Sequence, residues 1–233
     1  MLTLCCHCAA GADLTPDRVV ALAKIYFRDS AEVPLKVSVT TVVTDRAGKV
    51  KERHQSAVTM IFHGYNLQTG SFSLRSNSGW FNTGALRDSL GGDLTAFISA
   101  AYLMPSKEVD RKLEISPDKP VVTVYDVNCP ALSLSPRWLF PKATCGAARF
   151  TLAPARDDWE FQHFEFASSG PAAPAKIKYL GKVQLMAFHA TVDFQANFLP
   201  GDPKPFLWPK MVVTTLTTDK GSVSVTNHYS AKR

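Results

Sequence analysis

Two stretches of the chain, one near each end, carry the same pattern of β-branched residues on either side of an Asp…Gly turn. They cover residues 39–50 and 213–223. Thr and Val favour strands because their branched side chains fit a pleated, half-buried surface. Glycine adopts the positive φ that hairpin loops of three to five residues need. The pattern therefore predicts a β-hairpin in each stretch.

Further strands are predicted wherever apolar and polar residues alternate or β-branched residues cluster. These strands cover 35–44, 50–62, 70–76, 120–127, 148–153, 159–167, 176–197 and 210–230. The alternation shifts by one residue between Phe161 and Phe164, which indicates a β-bulge. Gly and Pro residues predict loops over 170–174 and 201–209.

Two segments have apolar residues at helical spacing instead. The first helix, 16–28, follows Thr15, a residue type that caps helices, and begins at a proline, which the first turn tolerates. The second helix, 93–104, ends before Pro105 because proline cannot continue a helix. Its apolar face comprises Leu94, Phe97, Ile98 and Ala101.

The order of these elements predicts the fold class. We expect a mainly β fold of the α+β type, with a single curved antiparallel sheet or half-barrel and covering helices. No stretch of the sequence is long and polar enough to separate two domains. Residues 13–233 are therefore predicted to form one β-rich domain.

The first twelve residues differ from the rest of the chain. The small residues at 10–12 resemble the end of a secretory signal peptide, so 1–12 are interpreted as the remnant of one. Cys5, Cys6, His7 and Cys8 suggest a metal site as the alternative, but they lack the separated pairs of structural zinc sites. We expect an exported protein of the periplasm or cell envelope, with no bound metal.

Two cysteines remain when 1–12 are set aside, namely Cys129 and Cys145. An even pair of cysteines in an exported protein predicts one structural disulfide. Two free, buried thiols are the alternative. The disulfide is favoured because exported proteins fold in an oxidising compartment.

The formal net charge of +6 does not by itself indicate a nucleic-acid partner. Lys and Arg residues are scattered, whereas nucleic-acid binding is typical of a clustered basic stripe with interleaved aromatic residues. No nucleic-acid partner is therefore expected. No run of about 18 apolar residues, the length of a membrane-spanning helix, occurs in the sequence.

Motifs of common enzyme chemistry are absent from the sequence. It contains no Gly-x-Ser-x-Gly, no P-loop and no dinucleotide fingerprint, so no cofactor is predicted. His163 and Glu165 lie two residues apart on a predicted strand and share one face. They could act as a general base and its orienting carboxylate, or form an ordinary solvated pair. We favour a protein that is not an enzyme.

Aromatic residues in turns are the other candidates for function. Trp80 and Phe81 lie in a predicted turn before the second helix. Such residues either anchor a ligand or cover the open end of a sheet. Together with the helix face of Leu94, Phe97, Ile98 and Ala101, they are the predicted ligand-binding residues.

The layout resembles that of the LolA/LolB-type carriers of periplasmic lipoproteins. The resemblance rests on the leader-like residues 10–12, the opening helix 16–28, the meander from Val33, and the closing hairpin around Asp219 with Asn227, His228 and Tyr229. It implies an incomplete barrel, covered by helices, that holds acyl chains in an apolar cavity. The insertion 105–147 departs from that pattern, and no counterpart of the arginine used by some carriers is identified.

Three functions are therefore considered. The first is an exported, non-catalytic carrier of an apolar ligand, lipid-like or lipoprotein, with contact to a membrane surface. The second is a hydrolase on a β scaffold that uses His163 and Glu165. The third is a structural or adhesion domain of the envelope, which fits if the sheet has no cavity.

Overall fold

In a computed structural model of the protein, the residues described are 13–27, 29–66, 71–76, 103, 111–126, 147–155, 158–177, 179–198, 201 and 203–231. Helix α1 covers Pro16–Tyr26. The strands are β1 Asp29–Asp45, β2 Val50–Asn66, β3 Ser71–Ser76, β4 Arg111–Ile115, β5 Val121–Asp126, β6 Ala147–Pro154, β7 Trp159–Ile177, β8 Gly181–Phe198, β9 Pro205–Thr218 and β10 Gly221–Ala231.

These ten strands form one antiparallel sheet in the order β3-β2-β1-β10-β9-β8-β7-β6-β5-β4. All neighbouring strands follow one another in the sequence except β1 and β10. The sheet is therefore a meander whose first and last strands meet in its interior, while β3 and β4 form its open edges. The predicted fold class, a mainly β protein with a single open antiparallel sheet, is confirmed.

The two predicted hairpins are present and lie side by side, because β1 pairs with β10. In the first hairpin the Asp45 carboxylate accepts hydrogen bonds from the backbone N–H groups of Ala47 and Lys49, at 3.0 and 2.9 Å. The hydroxyls of Thr44 and Ser222 are 2.8 Å apart across the join between the hairpins. The repeated sequence pattern thus forms the four-stranded centre of the sheet.

The predicted loop at 170–174 was wrong, because the whole segment belongs to β7, and the predicted loop at 201–209 was too long. β7 runs on to Ile177 with a register shift between Ser169 and Ala173, and β9 begins at Pro205. Among the described residues, β6 pairs with β7 only as far as Ala167, and the rest of β7 has one ladder, with β8. A strand with one free side tolerates proline, which has no N–H to donate. Pro174 therefore does not interrupt β7.

Two smaller features complete the comparison of strands. Leu152 faces Phe161 whereas Thr151 faces His163, so Gln162 is an extra residue in β7. The β-bulge predicted from the broken alternation is confirmed. Strand β4 was not predicted, because three of its five residues are charged and it lies in the segment 105–147 that was interpreted as an insertion.

Helix α1 begins and ends close to its predicted bounds. The hydroxyl of Thr15 accepts a hydrogen bond from the Arg18 N–H at 3.2 Å and so caps the helix. The Arg18 guanidinium also pairs with the carboxylate of Asp158, at the start of β7. These contacts fix the first turn of α1 to the β6–β7 end of the sheet.

One face of the sheet packs against α1, and we call it the inner face. The rings of Tyr26 and Phe27 contact that of Phe161 on β7, and Phe27 also contacts Phe194 on β8. α1 also contacts β4 and β9. A flat sheet would hold those two strands about 24 Å apart, whereas α1 is about 16 Å long. The sheet therefore curves around the helix.

The second predicted helix is described at one residue. Leu103 is helical, 1% exposed and part of the same hydrophobic core as α1. The other predicted ligand-binding residues lie outside the described residues, namely Trp80, Phe81, Leu94, Phe97, Ile98 and Ala101. Cys129, Cys145 and residues 1–12 also lie outside them, so the disulfide and the signal-peptide remnant stay predictions.

The join between the hairpins generates a first prediction. Gly221 has φ +153°, and a Cβ atom there would meet the carbonyl oxygen of Thr44 and lie 2.9 Å from Asp45 Cα. Gly48 has φ +79° but open space around it. We expect Gly221→Ala to lower the free energy of unfolding by about 3 kcal/mol, and Gly48→Ala by about 1 kcal/mol. Urea denaturation of both variants measures this, and equal losses would contradict the close approach of β1 and β10.

The buried hydroxyl of Tyr26 generates a second prediction. Burial, assisted by the charges of Glu160 and Asp158, raises the pKa of Tyr26 to about 12. The unfolded pKa is about 10, so the stabilisation by neutral Tyr26 is complete below pH 10 and is lost between about pH 10 and pH 12. The unfolding free energy should fall by up to about 2 kcal/mol more across this window than it does in Tyr26→Phe. Parallel pH profiles of both proteins would contradict this.

Candidate ligand-binding face

The inner face has two parts of different chemistry. The part formed by β4 to β8 is mostly apolar in its described residues, with Arg111 on the edge strand β4 as a charged exception. Opposed side chains there include Val122, Phe150 and Phe164, which follow one another across β5, β6 and β7 and are all fully buried. This part packs against α1 and contributes to one hydrophobic core, which also includes Val39, Val212 and Val225.

The part formed by β9, β10, β1 and β2 carries polar side chains among the apolar ones. The strand register places Asn227 on β10 beside Val39 of β1 and Val212 of β9. Ser56 on β2 lies in the same row, on the other side of Val39. We call Thr41, Ser56, Asn227 and Tyr229 the polar patch.

Asn227 is the centre of the polar patch. Its side chain is fully buried, and its amide Nδ2 donates to the Tyr229 hydroxyl at a distance of 3.4 Å. Its Oδ1 atom accepts no hydrogen bond from any residue that the structure describes. A buried polar atom without a partner costs about 1–3 kcal/mol. The Oδ1 atom of Asn227 is therefore a buried hydrogen-bond acceptor on the inner face that lacks a donor among the described residues.

Ser56 repeats this arrangement two strands away. Its Oγ atom is buried and, within the described part of the chain, has no hydrogen-bond partner. Two strand spacings correspond to about 10 Å between the backbones of Ser56 and Asn227. A ligand group lying over Val39 would therefore lie between the two unpartnered oxygen atoms.

Exposure increases along the inner face from the polar patch towards the edge strand pair β2–β3. Asn227 is buried, Thr41 on β1 is half-buried, and His54, opposite Thr41 on β2, is exposed. The inner face is thus accessible from solvent at the β1–β2 hairpin. This gradient connects the buried acceptor to the surface.

The outer face carries the histidines that the sequence singled out. His163 and Glu165 do share this face, but they do not pair with each other. His163 Nδ1 lies 2.6 Å from Asp193 Oδ1, and the His189 Nε2 atom lies 3.1 Å from Glu165 Oε1. Both are cross-strand contacts between β7 and β8, with more than a third of each side chain exposed. Such exposed pairs are typical of a solvated sheet surface.

Metal ligation and membrane-spanning helices were searched for separately. No group of three or more His, Cys, Asp or Glu residues in the described ranges is arranged to hold a metal ion. Among the same residues, no helix combines the length and apolar character needed to cross a membrane. The cluster from Cys5 to Cys8 lies outside the described ranges.

Comparison with known proteins adds no relative. No protein-family model matches the chain. No curated protein matches its sequence either. The function is therefore argued from the geometry of the inner face.

The polar patch was missed by the sequence analysis, although a signal for it exists. In β10, Val223, Val225 and Tyr229 alternate with polar residues and define the buried face. Asn227 has the same parity, so the alternation alone assigns a polar amide to an apolar face. The apolar surroundings of Asn227 come from Val39 and Val212, which belong to other strands, so the alternation within β10 does not reveal them.

Proposed function

We propose that this protein is a non-catalytic binding or carrier protein for an apolar, lipid-like ligand, such as a lipid or the acyl chain of a lipoprotein. The ligand lies on the inner face of the sheet. The single observation that carries this proposal is the fully buried and unpartnered Oδ1 atom of Asn227. An orphaned acceptor in an apolar surface needs a donor, and a bound ligand supplies one.

The chemistry of the inner face favours an amphiphile. Val39, Val212 and Val225 lie beside Asn227 and make its buried surroundings apolar. Ser56 and Asn227 offer acceptor oxygens to a hydroxyl or amide head group. Ligand sites in proteins commonly combine an apolar lining with a few polar groups that fix orientation. We therefore assign the ligand a donor-bearing head group and an apolar tail.

The sequence supports an exported location for this carrier, in the periplasm or cell envelope. The leader-like residues 10–12 and the pair of Cys129 and Cys145 are the features that favour export. Contact with a membrane surface would be needed for loading or release of a lipid. The resemblance of the sequence layout to that of LolA/LolB-type carriers supports the same assignment.

A hydrolase is the second candidate, and the contact between His163 and Asp193 favours it. A carboxylate that holds Nδ1 of a histidine leaves the Nε2 atom available as a general base. The pair belongs to the exposed outer face, however, and not to the inner face that carries the unpartnered acceptors. Loss of an esterase activity in Asp193→Asn, with His228→Gln as the control, would support this candidate over the carrier.

Replacement of Asn227 tests the carrier directly. Two fluorescent probes, a long-chain fatty alcohol and its methyl ether, differ only in the hydrogen-bond donor. We expect the wild-type protein to bind the alcohol about tenfold more tightly than the ether, because only the alcohol donates to Oδ1. Asn227→Leu should bind both probes with similar affinity, which fluorescence titration measures.

Stability measurements separate binding from folding in this experiment. Removal of the unpartnered amide should leave the free energy of unfolding of Asn227→Leu unchanged or raise it by about 1 kcal/mol. His228→Gln, a neighbour on the outer face, should keep the preference for the alcohol. A wild-type protein without saturable binding of either probe would contradict the carrier and favour a structural domain. If Asn227→Leu still bound the alcohol more tightly than the ether, the head group of the ligand would not contact Asn227.

A further inference from the structure

A basic groove lies on the opposite side of the molecule from the polar patch. It is formed where the tip of the β7–β8 hairpin extends past the β9–β10 turn, and its volume is about 620 Å³. Its lining includes Lys176, Lys182, Gln184, Asp219 and Lys220. Val183 and Leu185 face inwards and are buried, so Lys182 and Gln184 belong to the outer face. The lysine side chains of the groove therefore lie outside the inner face, although the buried Val183 also lines the groove.

Two of its lysines face each other directly. Lys176 on β7 is the cross-strand partner of Lys182 on β8. Like charges in this position are destabilising by a few tenths of a kcal/mol to about 1 kcal/mol. Neither ammonium group forms an ion pair with any residue that the structure describes. The hairpin thus maintains an uncompensated pair of positive charges at the groove.

The Asp219 carboxylate also lines the groove and lowers its positive charge, but it forms no ion pair with these lysines in the described part of the chain. The Asp219 carboxylate accepts a hydrogen bond from the Gln184 N–H at 2.8 Å, and the Asp219 N–H donates to the Gln184 carbonyl at 3.1 Å. These two bonds join the β9–β10 turn to β8. They hold Lys220, the residue after Asp219, at the same groove as Lys176 and Lys182.

We propose that this groove is a binding site for a phosphate group. A phosphate carries up to two negative charges and three acceptor oxygens, which suit three ammonium donors around one groove. Binding would also relieve the repulsion between Lys176 and Lys182. The phosphate belongs to a soluble phosphoester or to a phospholipid head group, since both present negatively charged, non-bridging phosphate oxygens. This inference is independent of the carrier function proposed for the inner face.

Two binding experiments on the full chain distinguish these sources. Calorimetric titration with pyrophosphate tests soluble phosphates. Flotation with phosphatidylcholine vesicles, with and without phosphatidylglycerol, tests phospholipid head groups. We expect saturable binding in at least one arm, and Lys176→Gln/Lys182→Gln should weaken it about tenfold or more. The affinity should also fall as salt is raised, because the groove is exposed.

A matched variant controls for net charge. Lys24→Gln/Lys36→Gln removes two exposed lysines from α1 and β1 and changes the charge by the same amount. It should keep the wild-type affinity. Binding of pyrophosphate supports the site with a soluble ligand, whereas binding of anionic vesicles alone supports it with a lipid head group. Absence of binding in both arms, or equal loss in the two double variants, would overturn the proposal.

Discussion

The whole sheet depends on the antiparallel pairing of β1 with β10. Eleven residues of β1, from Leu35 to Asp45, pair without interruption with Ala231 to Gly221 of β10. Without this pairing the strands would form two separate meanders, β1–β3 and β4–β10. Such non-local pairing has a large entropic cost of closure, and it forms only because many backbone hydrogen bonds and buried side chains form together. The close approach at Gly221 and the hydroxyl contact between Thr44 and Ser222 fix its register.

The proposed function is located at this same join. Asn227 lies on β10 between Val39 of β1 and Val212 of β9, so its surroundings exist only when the two ends of the chain have come together. An unpartnered amide at this position weakens the join between the two hairpins. A locally unfavourable residue in an otherwise consistent structure is typical of a functional site.

The two hairpins also show how similar turns can act differently. Asp45 closes its own turn, whereas Asp219 binds β8 and shapes the basic groove.

Local patterns predicted most of the elements but not their arrangement. The Asp…Gly turns, the Thr15 cap and the broken alternation at Phe161 are signals carried by neighbouring residues, and each predicted its element. Pro174 predicted a loop wrongly, because the free side of β7 depends on where β6 ends. The partner of His163 could not be predicted, since Asp193 becomes its neighbour only through the β7–β8 register. The buried position of Asn227 could have been assigned by parity but was missed, and its unpartnered oxygen depends on residues of other strands.

The central claim is that the inner face around Asn227 holds an amphiphile. The most direct test is solution NMR of protein with labelled valine methyls and asparagine side-chain amides, titrated with a long-chain fatty alcohol. The account predicts nuclear Overhauser contacts from the alkyl chain to the methyls of Val39 and Val225. It also predicts a saturable shift of the Asn227 amide resonances, because the alcohol donates to Oδ1. Shifts confined to residues of the outer face, or no shift at saturating alcohol, would contradict it.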